Sequence, residues 1–243
     1  MQIIKLDATD STNSYLKNLI MKDLKEDFTV VVARSQNKGR GQMGTNWESE
    51  EGKNLTFSVL KNFTAFKIVD QFAINIIVSL AIYDSLEALK IPNIKIKWPN
   101  DILSGTQKIC GILPENTVKN DLLSSSVIGI GLNVNQINFK VLPKATSLKN
   151  ITGSDYNIEV ILSLILKEMQ KGFRALEDNT MARLYREYEA KLFRKDKVST
   201  FRRKNKEVFT GIIRGVKATG AIQIELEDHV FEEFAFKEIE LLY

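Results

Sequence analysis

The sequence predicts an α/β (α+β) fold, with a mixed central sheet flanked by helices and followed by a small C-terminal β-barrel. Three observations carry this. Short runs rich in β-branched and aromatic residues recur at 29–33, 55–60, 94–98, 108–113 and 126–135. Helical periodicity separates or follows them at 12–24, 66–89 and 157–176. Beyond residue 195 the character changes to five short β runs, at 198–201, 208–216, 221–226, 230–234 and 239–242, divided by turn signals such as Thr219-Gly220. A boundary near 193 divides the chain into units 1–193 and 194–243.

Taken in order, residues 3–6 read as a first strand. Asp10-Ser11-Thr12-Asn13 opens a helix whose apolar stripe is Tyr15, Leu16, Leu19, Ile20 and Leu24, with Ser11 or Thr12 as N-cap. One hydroxyl satisfies a cap; Ser, Thr and Asn in a row leave room for a second role at a site. Between the strands at 29–33 and 55–60 lies a loop with four glycines (39, 41, 44 and 52), Lys38, Arg40 and Trp47. A loop of about twenty residues inside a compact domain is usually functional or disordered, and Trp47 gives this one an anchor. Glycine lets main-chain N–H groups approach and cup an anion, and Lys38 and Arg40 add charge. Gly39, Gly41 and Gly44 match G-x-G-x-x-G, but no strand directly precedes them and no helical period follows, so a dinucleotide fold is not indicated.

The run from Phe66 through Val69 and Phe72 to Leu89 reads as one core helix ended by Pro92. A half-buried strand at 94–98 stops at Pro99-Asn100-Asp101, and a turn at 104–107 returns the chain along 108–113, bringing Asp101 and Lys108 to one rim. Gly129 and Gly131 alternate on one face of the 126–135 strand, continued by Asn133 and Asn135; missing Cβ atoms there leave room for a ligand or for a close backbone contact. Two amphipathic helices follow, one from 157 and a shorter one carrying Leu184, Tyr185, Tyr188 and Leu192.

Composition sets limits. Hydrophobic residues make up 44% and charged residues 26%, ordinary for a globular protein. No apolar run reads as membrane-spanning and the N-terminus has no signal-peptide profile. The single cysteine, Cys110, reads as a small buried hydrophobe, precludes an intrachain disulfide and fits the cytoplasm. One histidine, His229, in a polar turn, excludes Cys/His zinc sites and leaves no histidine base cluster. Residues 194–206 hold seven cations and one acid, and 225–240 hold seven acids and one lysine, blocks able to neutralise each other across a sheet. A docking surface for an acidic partner is the other reading.

The candidate site collects Lys38, Arg40, Lys97 and Lys108 with glycine N–H groups, amides and one carboxylate, Asp101. Such equipment brings negative charges together, as a carboxylate attacking a nucleotide phosphate requires, with no histidine base. Ser11-Thr12-Asn13, the glycine–arginine loop with Trp47, Lys97-Trp98-Pro99-Asn100-Asp101, 108–113 and 129–133 resemble, in order and spacing, the biotin–protein ligases. The resemblance covers about residues 8–135. It implies a class II synthetase-like catalytic unit with an SH3-like barrel, acting on biotin, ATP and Mg2+ and on a biotin carboxyl carrier protein, as a monomer or homodimer without DNA or membrane partners.

By position it implies biotin contacts from Ser11, Thr12, Asn13, Gln36, Gly39, Arg40, Gly41, Lys108, Gly111, Gly129 and Gly131. Nucleotide contacts fall to Arg40, Gln42, Met43, Trp47, Asn100, Lys108 and Asn133. Lys108, Arg40 and Asp101 carry the chemistry, with Asp101 steering Mg2+ or the incoming amine. Two departures matter. Gln42 and Thr45 stand where several members have arginines, so the adenylate is expected to escape faster, and a slow measured off-rate would contradict this. The chain also begins almost at the first strand, an expectation of a ligase without a DNA-binding repressor domain. Lipoate ligase, a non-catalytic vitamin binder and a nucleic-acid binder are the alternatives.

Overall fold

The computed structural model describes residues 1–23, 26–139, 143–177 and 180–243. Leu24 of the predicted stripe and the side chain of Met43 lie outside the described residues. β1 (Ile3–Thr9), α1 (Thr12–Met21) and β2 (Val30–Gln36) form a βαβ unit in which β1 and β2 are parallel. β3 (Leu55–Lys67), β4 (Ile94–Lys97), β5 (Asp101–Ser104), β6 (Gln107–Lys119) and β7 (Leu122–Leu132) add antiparallel strands, giving the sheet order β1-β2-β3-β7-β6-β5-β4.

Period-two alternation assigns the two faces. Leu55, Phe57 and Val59 of β3 enter the large core with Ile128 and Ile130 of β7, whereas Leu60 joins Leu16, Val31 and Val127 under α1. The large core is closed by α2 (Phe72–Ala88) and α4 (Ile158–Glu177). α2 is apolar almost all round, with thirteen of its 17 residues buried, as a helix sandwiched on both sides must be. α4 is amphipathic and buries Ile161, Leu162, Ile165, Leu166, Met169 and Phe173. α5 (Met181–Ala190) adds Leu184 and Tyr188.

Several sequence expectations need correction. Phe66 is not helical: it belongs to β3, its ring stacked 5.0 Å from Phe63, and Val69 lies exposed in a 3-10 turn at Ile68–Asp70. Their three-residue spacing imitates a helix that begins only at Phe72. The segment Ile68–Ala88 is, by length and composition, apolar enough to cross a membrane (mean hydropathy 1.3), contrary to the reading above; 67% of its most apolar window is buried inside the protein. β3, β6 and β7 run beyond the predicted strands, at 61–67, 114–119 and 122–125, where mostly half-buried or exposed residues, Phe63 and Phe66 among them, carry no period-two signal. The short α3 (Leu148–Thr152) had none either; Ser147 caps it by accepting from the Asn150 N–H at 3.1 Å.

The C-terminal strands β8 (Val198–Arg203), β9 (Val208–Val216), β10 (Ile222–Glu225), β11 (Phe231–Phe234) and β12 (Ile239–Leu242) pair antiparallel in the order β11-β10-β9-β8-β12. Phe209 stacks 5.4 Å from its register partner Phe201, and the sheet curls so that it also lies 5.6 Å from Phe234, two strands away. Across it the charge blocks do meet: Arg203 with Glu232 at 2.8 Å and Arg202 with Glu240 at 3.2 Å. The unit is fastened to the main sheet by Trp98, whose Nε1 donates to the Gly220 carbonyl at 2.9 Å, and by Phe236, edge-on to Trp98 and Phe72 at 5.2 and 5.9 Å.

Candidate active site

Register places the site on the α1 face of the sheet. Thr56 pairs with Gly131, Gly131 with Gly111, Gly111 with Asp101, and Asp101 with Lys97, one row across five strands. The next row is Ser58, Gly129 and Leu113. Directly paired residues share a face, so three glycines form a floor with polar side chains around it. A cavity of about 260 Å³ lies over this floor, with the N-terminus of α1 on one side and the glycine loop across the top. Ser11, Thr12, Asn13, Gln36, Arg40 and Gly41 line it, as do Gln42, Trp47, Asn100, Asp101, Lys108 and the three floor glycines.

The glycines serve different neighbours. A Cβ on Gly129 would lie 2.5 Å from Asn13 Oδ1, and one on Gly131 would lie 2.3 Å from Cε2 of Trp47. The room left by the missing side chains is thus held by an amide and by the indole, which also reaches Gly111. The indole Nε1 is buried without a hydrogen-bond partner. Gly39 and Gly41 face the Trp47 carbonyl and the Thr45 hydroxyl, so they let the loop fold on itself. Its N–H groups do likewise: Lys38 donates to Asp10, Gly41 to Thr45, Thr45 to Gln42 and Trp47 to Gly39. The expected anion cup of loop N–H groups is therefore not built from these four, and Lys38 points away, paired with Asp10 at 3.0 Å and 77% exposed. Positive charge in the cavity comes from Arg40 and Lys108.

One end is lined by neutral side chains, with the Glu115 carboxylate behind them. The helix-opening Ser11 occupies the N-cap position but its side chain caps nothing. The Thr12 N–H donates to Gln36 Oε1 at 2.8 Å; Ser58 Oγ lies 2.7 Å from Thr12 Oγ1 and 2.6 Å from Asn13 Oδ1. Asn13 Nδ2 donates to Glu115 Oε2 at 2.6 Å, which fixes the amide's orientation. Ser58 and Glu115 were missed in the sequence. Ser58 could have been found from the polar alternation Thr56, Ser58 inside an apolar strand, and Glu115 from its in-phase position two residues beyond Leu113.

The charged end is built by β4, β5 and β6. Lys108 Nζ stands 2.6 Å from Asp101 Oδ1, an ion contact whose angles are not those of a hydrogen bond, and Lys97 Nζ is 3.7 Å from Oδ2. Asn100 Nδ2 donates to the Ile112 carbonyl at 2.8 Å, which leaves the second N–H and the amide oxygen for a ligand. Gly39 and Asn133 lie off the cavity lining; the Asn133 amide donates to the Thr146 carbonyl at 3.0 Å and so fixes the segment that runs beside Lys108. Cys110 is fully buried and burial pushes its thiol far up, as expected of a packing residue.

Arg40 reaches Glu115 at 3.1 Å, and Lys17 of α1 reaches the same carboxylate at 2.8 Å. Burial pushes the Glu115 carboxyl up, but hydrogen bonds from Lys17 and Asn13 and the charges of Lys17 and Arg40 outweigh it and hold it below its usual range. A carboxyl depressed by folding gives stability that is complete above the ordinary glutamate value of about 4.3 and is lost as pH falls through the folded value. Glu115→Gln is therefore expected to lower the melting temperature at pH 7, with the gap to wild type closing below about pH 4. A constant gap from pH 7 to 3 would show that the charge contributes nothing.

Comparison with known proteins gives a consistent result. A model of the biotin/lipoate A/B protein ligase family matches residues 6–133. The bifunctional ligase/repressor BirA of Bacillus spizizenii is 32% identical over 177 residues, covering 71% of this chain and 54% of that protein. The biotin–[acetyl-CoA-carboxylase] ligase of Mycobacterium tuberculosis is 31% identical over 165 residues, 67% of this chain and 60% of that one. The chain thus matches little more than half the length of these curated relatives. The solved biotin protein ligase of Aquifex aeolicus in complex with biotin and ATP superposes with a TM-score of 0.81 at 27% identity, covering 99% of this chain and 98% of that chain.

Proposed function

This chain belongs to the biotin/lipoate A/B protein ligase family, and from that premise we propose that it activates biotin with ATP as biotinyl-5′-AMP and transfers the biotinyl group to a lysine of a biotin carboxyl carrier protein. The observation that carries the reading is the polarity of the cavity: neutral hydrogen-bonding side chains line one end, and the Lys108–Asp101 pair, 2.6 Å apart, stands at the other. A neutral ring system bearing a carboxylate tail matches that polarity.

The uncharged end, Thr12, Asn13, Gln36 and Ser58, receives the biotin ring. Its carboxylate extends over Gly111 and Gly131 toward Lys108, whose ammonium offsets the charge of the carboxylate and the approaching phosphate. A carboxylate oxygen attacks the α-phosphorus of ATP; the new P–O bond forms as the bond to the β-phosphate oxygen breaks and pyrophosphate leaves. Arg40, Gln42, Trp47 and Asn100 surround the nucleotide. In the second step the carrier lysine's uncharged amine attacks the acyl carbon, loses a proton, and AMP departs with the C–O electron pair. No histidine is needed, since the first nucleophile is already ionised at neutral pH.

Asp101 is a poor protein-built metal site. One of its oxygens faces Lys108 and the other Lys97, and no group of three or more His, Cys, Asp or Glu that could hold an ion exists among the described residues. Mg2+ carried on ATP phosphates needs no such group, and no step here is routed through it. The reading of Asp101 that fits its contacts is orientation of Lys108. The single buried free thiol is compatible with the cytoplasm, the compartment we assign.

Biotin-dependent exchange of labelled pyrophosphate into ATP tests this, with lipoate as the parallel substrate. Exchange with biotin alone is the expected result. Exchange with lipoate alone would move the chain to the lipoate branch, and exchange with neither would overturn the activity.

A further inference from the structure

The C-terminal unit sends one side chain to the charged end of the site. Tyr243, one residue beyond β12, packs edge-on to Phe193 with ring centroids 5.0 Å apart. Its ring face receives Lys144 Nζ at 4.4 Å and Lys97 Nζ at 5.5 Å. Lys144 also donates to the Tyr243 backbone oxygen at 2.8 Å, and its own carbonyl accepts from the Lys108 N–H at 2.7 Å. Lys97 and Lys108 therefore share one carboxylate, Asp101, and Lys144 is joined to them through the Tyr243 ring and the Lys108 N–H, so the cations here outnumber that carboxylate. Like charges brought together this way repel, and an aromatic face offsets part of that repulsion.

The cleft between the main sheet and the C-terminal sheet, about 200 Å³ and lined by Gln42, Lys97, Trp98, Phe193 and Leu241 among others, meets the active-site cavity at Gln42. An anion longer than a single phosphate, extending from the Lys108 end, would meet Lys97, which lines this cleft and stands 3.7 Å from Asp101 of the active-site cavity.

We propose that Tyr243 is a positioning residue that holds Lys97 and Lys144 on the rim of the active site, where they bind the polyphosphate of ATP and the pyrophosphate it releases. The C-terminal unit thereby completes the phosphate end of the site. This inference rests on the ligase reading above. The ring does not touch substrate; it sets where two ammonium groups stand.

Pyrophosphate exchange, with KM resolved for ATP, pyrophosphate and biotin, tests it on wild type, Tyr243→Ala and Tyr243→Phe. Tyr243→Ala is expected to raise KM for ATP and for pyrophosphate about 5- to 20-fold, leaving KM for biotin within about twofold. Tyr243→Phe keeps the aromatic face and should match wild type within about twofold. Unchanged KM for ATP in Tyr243→Ala, or an equal rise in Tyr243→Phe, would overturn the proposal. Should Tyr243→Ala fail to fold, Lys144→Met gives the same reading, with KM for ATP raised severalfold if the proposal holds and unchanged if it does not. Absence of exchange by the wild-type protein overturns the ligase reading and this inference with it, whereas wild-type exchange with an unaltered Tyr243→Ala removes only the role of Tyr243.

Discussion

Lys108→Ala is expected to slow adenylate formation by about 10²–10³-fold, the usual cost of removing one preorganised donor from a developing charge. The backbone here is fixed on both sides: the Lys108 N–H donates to the Lys144 carbonyl and its own carbonyl accepts from the Thr146 N–H at 2.9 Å. Truncation therefore removes the ammonium without freeing the strand. What remains is the Asp101 carboxylate, only 15% exposed, with Lys97 at 3.7 Å as its nearest cation. The charge at that end falls by one unit where two anions must meet. Single-turnover formation of biotinyl-5′-AMP measures the effect directly; a rate within about threefold of wild type would remove Lys108 from the chemistry. Lys108→Met, which keeps most of the stem, should be impaired almost as much, because the lost property is charge and not packing.

Gly129→Ala is the second large effect, and it acts through shape. The added methyl would stand 2.5 Å from Asn13 Oδ1 and 3.0 Å from its Cγ. Asn13 is 3% exposed and is tied to Ser58, Glu115 and the Leu113 carbonyl, so it has nowhere to yield. Overpacking of this kind costs about 1–3 kcal/mol, or about 2–4 °C in melting temperature per kcal/mol for a chain of this size. Displacing Asn13 also pulls on Thr12 and Gln36, so KM for biotin should rise at least about tenfold. A double-mutant cycle with Asn13→Ala separates the causes. The double variant should be more stable than the sum of the two single losses, because the second truncation vacates the space the methyl needs. Strict additivity, or an unchanged biotin KM in Gly129→Ala, would contradict this account.

Much of the architecture could be read from pattern. β9 and β12 match the expected runs residue for residue, and the α4 stripe follows from periodicity. Asp101 and Lys108 do meet, since a short hairpin constrains its own rim. What pattern could not supply was who occupies the space a glycine leaves. Gly129 and Gly131 were open between ligand and close packing; the neighbours turned out to be Asn13, 116 positions earlier, and Trp47, and neither distance is encoded locally. The loop was read as an anion cup because its glycines and cations are adjacent in sequence. In space its N–H groups turn inward and Lys38 turns away. Glu115 escaped notice because an acid near a strand end looks like solvated surface until Asn13, Lys17 and Arg40 converge on it.

The row Thr56, Gly131, Gly111, Asp101, Lys97 has a consequence for biosynthesis. Its five members come from five strands, Asn13 must find Glu115 across 102 positions, and Trp98 must find Gly220 across 122. The neutral network and the lysine end draw on positions from 12 to 108 and on floor glycines as far as 131, so the cavity is assembled only when the strands that carry them have paired into one sheet. An acyl adenylate is an indiscriminate acylating agent once it escapes. On the activity proposed above, that agent cannot form before β2 to β7 have paired into one sheet.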